Sequence, residues 1–132
     1  MKLTIALITI LTDNFGKMSK FYQDVIGFTT KLKMDQYCEF ESPGVRFAIC
    51  DRSVMAQATG ADSYNRTASG HAFELAFHVD LPEEVDKEYR RLVQSGATGI
   101  KPPTDMPWGQ RTGFFADPDD NIHEIFAAIE TN

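Results

Sequence analysis

The chain has 132 residues, of which 42% are hydrophobic and 24% charged, and its formal net charge is −6 at pH 7. This length can bury one hydrophobic core, and the composition is that of an ordinary globular protein, which disfavours disordered, fibrous and membrane-spanning classes. Nucleic-acid binding is also disfavoured, because phosphate contacts need clustered Lys and Arg and the sequence has no such cluster. The negative charge favours cationic small molecules as partners, although it also serves solubility.

The first module, residues 1–52, begins with a strand and a helix. Residues 3–10 are rich in β-branched and apolar side chains, which predicts a strand. From Phe15 the apolar positions recur at three- and four-residue steps, which predicts an amphipathic helix with Asp13 or Asn14 as its N-cap and Gly27 just past its end. Three more strands are predicted, at residues 28–34, 37–41 and 45–51.

The start of the chain, MKLTIALITI, makes a poor signal peptide, since it has one Lys, a short apolar run and no small-residue cleavage site. A reducing, cytoplasmic setting is therefore expected, with Cys38 and Cys50 free and half buried in strands. Neither cysteine belongs to a paired CxxC spacing, so structural zinc is not expected.

Residues 53–70 separate the two modules. They lack periodic apolar positions and are rich in Ala, Ser, Thr, Gly and Asp, which predicts a partly mobile linker that can act as a flap over a site.

The second module, residues 71–132, repeats the order of the first. A strand at residues 71–79 leads into a helix at residues 82–94, where Asp80 and Glu83 resemble a capping box. The three strands that follow are predicted at residues 98–101, 108–116 and 121–129, with a proline turn at residues 102–103. Two βαβββ units on a period of roughly 65 to 70 residues constitute an internal repeat and predict an α+β fold.

Several short segments carry a resemblance to a known family. They are FY at 21–22, IGF at 26–28, ELAFHV at 74–79, WGQR at 108–111, DPD at 117–119 and IHEI at 122–125. In these segments the chain resembles the vicinal oxygen chelate superfamily, the glyoxalase, bleomycin-resistance and dioxygenase group, over nearly its whole length except the linker. The resemblance implies two βαβββ modules whose mixed, curved sheets form a half-open cup with the site on its concave face. It is specific for the fold and weak for the reaction.

The resemblance also gives a set of metal positions. Metal-dependent members place one ligand on each of the first, fourth, fifth and eighth strands, and these positions correspond here to Leu7, Ala48, Glu74 and Glu124. Leu7 and Ala48 have no donor atom, and two carboxylates are too few for a divalent ion that takes three or more protein ligands. We therefore expect no metal cofactor, and Glu74 and Glu124 are the candidate ligands if a divalent metal does bind.

The alternation of side chains along a strand supports this geometry without reference to the family. Glu74, His78 and Glu124 fall on the face opposite to the apolar positions of their strands. The two glutamates are candidates for contact with a cation, for accepting a hydrogen bond from a ligand, or for an acid/base pair with one raised pKa. The alternative for Glu124 is a family relic bonded to a neighbouring side chain or water. His78 is a candidate base or ligand contact, or an ordinary strand-end histidine, and His71 and His123 are predicted at the surface or rim.

Three further residues are candidates for ligand binding. Trp108, the single tryptophan, stacks on a flat ligand or packs at the entrance of a strand. Arg111 clamps a ligand carboxylate or pairs with an acidic neighbour. Arg46 alternates with apolar residues and points into the cup if the strand register places it there.

Together these features favour a metal-independent protein that binds and sequesters a small molecule, aromatic or cationic in character, with no nucleic-acid or membrane partner. The resemblance implies a homodimer. The alternative is a glyoxalase-like metal-dependent lyase or isomerase, or a dioxygenase, using Glu124 as base or ligand together with Glu74. A third possibility is a scaffold whose partner is another protein.

Overall fold

The computed structural model describes residues 2–129, and the chain divides into two compact units, Met1–Ser69 and Gly70–Asn132. Each unit contains a four-stranded mixed sheet with the strand–helix–three-strand order that the sequence predicts. The α+β fold class is therefore confirmed. None of the helices in residues 2–129 has the length and apolar character that a membrane span requires.

The first unit has the sheet order β1-β4-β3-β2, with β1 parallel to β4 and the other pairs antiparallel. Helix α1 lies between β1 and β2 and continues directly into a π-helical segment, and α2 and a short 3₁₀ helix follow β4. The bounds are β1 Leu7–Thr12, α1 Phe15–Lys20, the π-helical segment Phe21–Ile26, β2 Thr30–Met34, β3 Tyr37–Phe40, β4 Arg46–Asp51, α2 Arg52–Thr59 and the 3₁₀ helix Asp62–Asn65.

An aromatic cluster forms the core of this unit. The ring of Tyr22, which is fully buried, lies 5.1 Å from that of Phe47 and 6.5 Å from that of Phe40. Offset and tilted ring pairs at these distances add to the free energy gained from burial alone. The helical side of the sheet is thus the face that carries Phe40 and Phe47, and the neighbouring strand positions lie on its other face.

The predicted N-cap position of the first helix is confirmed, whereas the predicted linker needs correction. Asn14 is the N-cap residue of α1, but its side chain makes no capping hydrogen bond; its backbone N–H donates to Thr12 Oγ1 at 2.9 Å. The predicted linker contains α2, which the Asp51 side chain caps by accepting from the Ser53 N–H at 3.0 Å. Because α2 has no fully buried residue, it lacks the apolar stripe by which a helix is recognised in a sequence.

The second unit has the sheet order β5-β8-β7-β6, with β5 parallel to β8 and the other pairs antiparallel. Its bounds are β5 Ala76–His78, α3 Pro82–Ser95, β6 Thr98–Met106, β7 Gln110–Ala116 and β8 Ile122–Ala128. A Cβ added at Gly113 would meet Tyr89 Cδ2 at 2.7 Å, so α3 packs closely on the face to which Gly113 would point a side chain. We call the opposite face of this sheet, which carries Ala76, His78, Phe114, Glu124 and Phe126, the distal face.

Three predictions for the second unit also differ from the structure. Strand β6 runs through Pro102 and Pro103 with register shifts, where a turn was predicted, because an edge strand tolerates residues without an N–H donor. Strand β5 is shorter than predicted. The residue at the N-cap of α3 is Leu81, which makes no side-chain capping bond, so the expected capping box of Asp80 and Glu83 is wrong; Pro82 starts the helix instead.

Candidate functional site

Two carboxyl groups meet on the distal face of the second unit. Ala76 of β5 lies opposite Glu124 of β8, so the side chain of Glu124 shares a face with those of Ala76 and His78. Glu74 precedes β5, and it lies close enough to Glu124 that its charge and hydrogen bonding contribute to a raised pKa of the Glu124 carboxyl. The strand alternation therefore predicted the shared face of these residues correctly.

The pKa of Glu124 is raised above the ordinary value of a glutamate. Burial of this half-buried side chain is the largest cause, followed by the negative charge of Glu74 and the hydrogen bond between the two carboxyls. Because its pKa is raised, Glu124 takes up a proton more readily than an ordinary glutamate, and a protonated carboxyl can donate a hydrogen bond to a neighbouring carboxylate.

Aromatic rings lie on the same face of the sheet as Glu124. The His78 ring lies 5.4 Å from that of Phe126 across the β5–β8 pairing, and Phe114 of β7 lies directly opposite Glu124. Directly opposed residues on neighbouring strands share a face, so Phe114 belongs to the same surface. The distal face therefore carries acidic groups together with the flat rings of His78, Phe114 and Phe126.

Trp108 lies in the turn between β6 and β7 and is 59% exposed. Its indole N–H donates to Gln110 Oε1 at 3.1 Å. Gln110 is separated from Phe114 by about 13 Å along β7, at the usual rise per strand residue. The sheet thus places Trp108 near the far end of β7 from the carboxyl pair, and the two are not brought together.

Arg111 is held by two aspartates. Its guanidinium donates to Asp86 of α3 at 2.9 and 2.8 Å and to Asp105 of β6 at 3.0 Å. These hydrogen bonds and charges raise the pKa of Arg111 above its already high ordinary value. Of the two roles considered for Arg111, the structure shows the pairing with acidic neighbours, on the face of the sheet that α3 covers.

Arg46 lies in the first unit, where it pairs with a residue that the sequence reading missed. Its Nε and Nη2 donate to Glu39 at 2.9 and 2.7 Å, and Tyr37 Oη donates to the same carboxylate at 3.1 Å. The Arg46 guanidinium is the main reason that the pKa of the buried Glu39 is lowered to about 2. Glu39 lies opposite Ala48, so Arg46 and Glu39 occupy the face of that position. The sequence signal for Glu39 is a charged residue between two apolar neighbours, Cys38 and Phe40, in β3.

The prediction for His123 is wrong. The side chain is completely buried, with its ring 5.9 Å from that of Phe115 and 6.2 Å from that of Phe77. It falls on the face of Ile125 and Ala127, which the period-two pattern of β8 assigns to the core. The surface prediction follows from the polar residue type, whereas the period-two pattern of β8 indicates a core position. His71 is exposed, as predicted.

The two cysteines are free and buried, more deeply than the sequence suggested. Cys38 lies opposite Ile49, one position along from the pair formed by Tyr37 and Cys50. Neighbouring positions of a strand point to opposite faces, so the two thiols lie on opposite sides of the sheet. Burial raises the pKa of both.

Among residues 2–129, no three His, Cys, Asp or Glu side chains cluster as metal ligands would. Of the four positions that the resemblance assigns to metal ligands, Leu7 and Ala48 in the first unit have no donor atom in their side chains. Glu74 and Glu124 in the second unit are two carboxylates, fewer than the protein ligands that a divalent ion usually takes.

Two successive βαβββ units define the class of fold to which the chain belongs. The model of the Glyoxalase/Bleomycin resistance protein/Dioxygenase superfamily matches residues 4–125. The chain belongs to this superfamily.

Two solved structures and one curated protein are similar to the chain. A glyoxalase/bleomycin resistance protein/dioxygenase from Nocardioides has a TM-score of 0.88 and 30% identity, covering 100% of this chain and 87% of that one. A family enzyme from Burkholderia phytofirmans PsJN has a TM-score of 0.86 and 24% identity, covering 96% and 100% of the two chains. The uncharacterized protein YraH of Bacillus subtilis (strain 168) is 29% identical over 126 residues, 92% of this chain and 96% of that protein.

Proposed function

We propose that this chain is a metal-independent small-molecule binding protein of the glyoxalase and bleomycin-resistance type, and that it holds a flat cationic ligand against Glu74 and Glu124. The observation that carries the proposal is the placement of two acidic side chains next to each other: Glu124 lies on the distal face, and its backbone N–H donates to the carbonyl of Leu75, the residue that follows Glu74. The charge of Glu74 also raises the pKa of Glu124. Within residues 2–129 no Lys or Arg pairs with either of them. A bound cation supplies the positive charge that this pair lacks.

The surroundings of the pair favour a flat ligand. Phe114, Phe126 and His78 present rings beside the carboxyls, and a positive charge delocalised over an aromatic ligand gains both from the carboxylates and from the ring faces. An apolar ligand without charge would gain only the second contribution. A ligand with a carboxylate would be repelled.

The direct test compares N-methylquinolinium with methylnaphthalene, which has the same shape and no charge. We expect the protein to bind the cation about tenfold more tightly, equivalent to about 1.4 kcal/mol, because only the cation pairs with the acidic side chains. Isothermal titration calorimetry measures the cation, and equilibrium dialysis measures the less soluble neutral compound. The cation should bind better as the pH rises through the raised pKa of Glu124, since the deprotonated pair attracts it.

Two substitutions and one matched control locate the site. E124Q and E74Q each remove one acidic group of the pair, and above the raised pKa of Glu124 both should reduce the preference for the cation. E88Q removes the same charge on α3, where Glu88 pairs with Arg91, and should leave the preference unchanged. Equal affinities of the unmodified protein for the two compounds, or an effect of E88Q as large as that of E124Q, would contradict the proposal.

The second candidate function is an enzyme, and the raised pKa of Glu124 beside Glu74 favours it. Such a pair suits proton transfer, because one carboxyl can give up a proton that the other stabilises. Titration of the purified protein with Ni²⁺, Zn²⁺, Mn²⁺ and Fe²⁺ separates the two candidates. Stoichiometric, tight uptake of one of these ions would favour a metal-dependent lyase, isomerase or dioxygenase over a binding protein.

A further inference from the structure

Glu74 lies just before the start of the short strand β5, and one intervening residue connects it to the sheet. Strand β5 begins at Ala76, two residues after Glu74. The residue between them, Leu75, is held through both of its backbone groups. Its N–H donates to His123 Nδ1 at 3.1 Å, and its carbonyl accepts from the Glu124 N–H at 2.9 Å. Two consecutive residues of β8 therefore hold the residue that follows Glu74.

The imidazole of His123 is held by contacts with neighbouring rings and by a polar group near each of its nitrogens. It is fully buried among the rings of Phe73, Phe77 and Phe115, at centroid distances of 5.9 to 6.2 Å. Its Nε2 lies 3.6 Å from Oδ2 of the buried Asp117. Since Nδ1 accepts a hydrogen bond, the neutral ring carries its proton on Nε2, on the side of Asp117.

Asp117 is itself held by the turn between β7 and β8. Its Oδ1 accepts from the backbone N–H groups of Asp119 and Asn121, both at 3.0 Å, and its Oδ2 accepts from Asn121 Nδ2 at 2.9 Å. The chain of contacts from this turn runs through His123 to Leu75, which lies just before the first residue of β5. Side-chain networks of this kind set the position of a neighbouring functional group.

We propose that His123 is a positioning residue for the site: by binding the Leu75 N–H it holds Glu74 against Glu124, and so sets the preference of the site for cationic ligands. The inference rests on the proposed function for its ligand class. The geometric part, that His123 fixes Leu75 and Glu74, stands on the contacts within the second unit.

The test uses two substitutions with opposite effects on packing and on hydrogen bonding. H123N places an amide oxygen near the position of Nδ1 and keeps the acceptor for Leu75, but leaves part of the ring volume empty. H123F fills the aromatic surroundings with a ring of similar size and removes the acceptor. H123F is expected to fold, because Phe suits a site lined by three phenylalanines.

We expect H123N to retain slow hydrogen exchange at the Leu75 amide and about the same preference for N-methylquinolinium over methylnaphthalene. H123F should lose the protection of that amide and most of the roughly tenfold preference, while its affinity for the neutral compound stays unchanged. A purely structural histidine predicts a different result, namely a preference that follows the thermal stability of each variant.

Two outcomes would overturn the inference. One is an unchanged preference for the cation in a folded H123F whose Leu75 amide exchanges quickly. The other is a protected Leu75 amide in H123F. The exchange measurement needs no ligand, so it tests the position of Leu75 even if the unmodified protein shows no preference for cations, in which case the proposed function fails separately.

Discussion

At the scale of single residues, Glu39 shows how a buried acid is stabilised. Its carboxylate accepts hydrogen bonds from Arg46 and Tyr37, and Lys31 Nζ lies 3.9 Å away. These partners stabilise the charged form of Glu39 more in the folded state than in the unfolded state. The first unit consequently has a built-in sensitivity to acid.

The sign of this sensitivity follows from the pKa of Glu39, which is lowered from 4.5 to about 2. The stabilisation is complete above about pH 4.5 and is lost as the pH falls through about 2. E39Q should therefore lower the thermal unfolding temperature most at neutral pH, and the gap from the unmodified protein should close as acid is added. E41Q, an exposed acid two residues along, is the control and should show no such gap. A gap that stays constant with pH would contradict this prediction.

Residue patterns located some site residues and missed others for definite reasons. Glu74 and Glu124 were placed correctly because apolar neighbours identify the core face of a strand, which leaves the alternate positions for the other face. The same pattern assigns His123 to the core. There its Nδ1 accepts a hydrogen bond from the Leu75 N–H, and its Nε2 lies 3.6 Å from Asp117 Oδ2. The pairing of Glu39 with Arg46 depends on contact between two strands, which a single sequence does not reveal.

At the scale of elements, Arg111 connects three parts of the second unit. From β7 it reaches Asp86 on α3 and Asp105 on β6, so one side chain links the helix to two strands. Arg suits this task because its planar guanidinium offers several donors in fixed directions. The contacts predict a role in stability and none in ligand binding.

R111M should lower the free energy of unfolding by about 0.5 to 1 kcal/mol, as expected for a partly exposed ion pair with good geometry. Urea denaturation measures this loss. R91M is the matched control, because the ion pair of Arg91 with Glu88 of the same helix should contribute less, roughly 0.3 kcal/mol. Both variants should bind N-methylquinolinium normally, because Arg111 lies on the face that α3 covers and Arg91 lies on α3 itself. Weaker binding by R111M at unchanged stability would restore the ligand-clamp interpretation.

The elements that the sequence predicted best are those with a buried face. The helix from Phe15 and the helix from Pro82 were recognised because each has apolar positions at helical spacing. Helix α2 was missed because it has no such face, although the Asp51 cap was present in the sequence. The bounds of β6 were missed because the sequence does not state which strand lies at an edge.

At the scale of the whole molecule, the net charge of −6 acts on any charged ligand. Negative charge over the surface raises the local concentration of cations and speeds their association. Dissolved salt screens this attraction beyond about 10 Å at ordinary ionic strength.

We therefore expect the association rate of N-methylquinolinium to fall as sodium chloride is added, while the dissociation rate changes little. Stopped-flow measurements at several salt concentrations give both rates. The neutral methylnaphthalene serves as the control, and its association rate should not fall. A cation whose association rate is insensitive to salt would show that the surface charge does not assist binding.

The prolines of β6 have a consequence for behaviour at high concentration. An exposed edge strand offers a row of backbone donors and acceptors on which a strand of another molecule can add, and such addition begins many aggregates. Pro102 and Pro103 lie in β6 at the edge of the second sheet and lack the N–H donor at both positions. Intermolecular strand pairing is interrupted there, so this border of the molecule resists growth into fibrils.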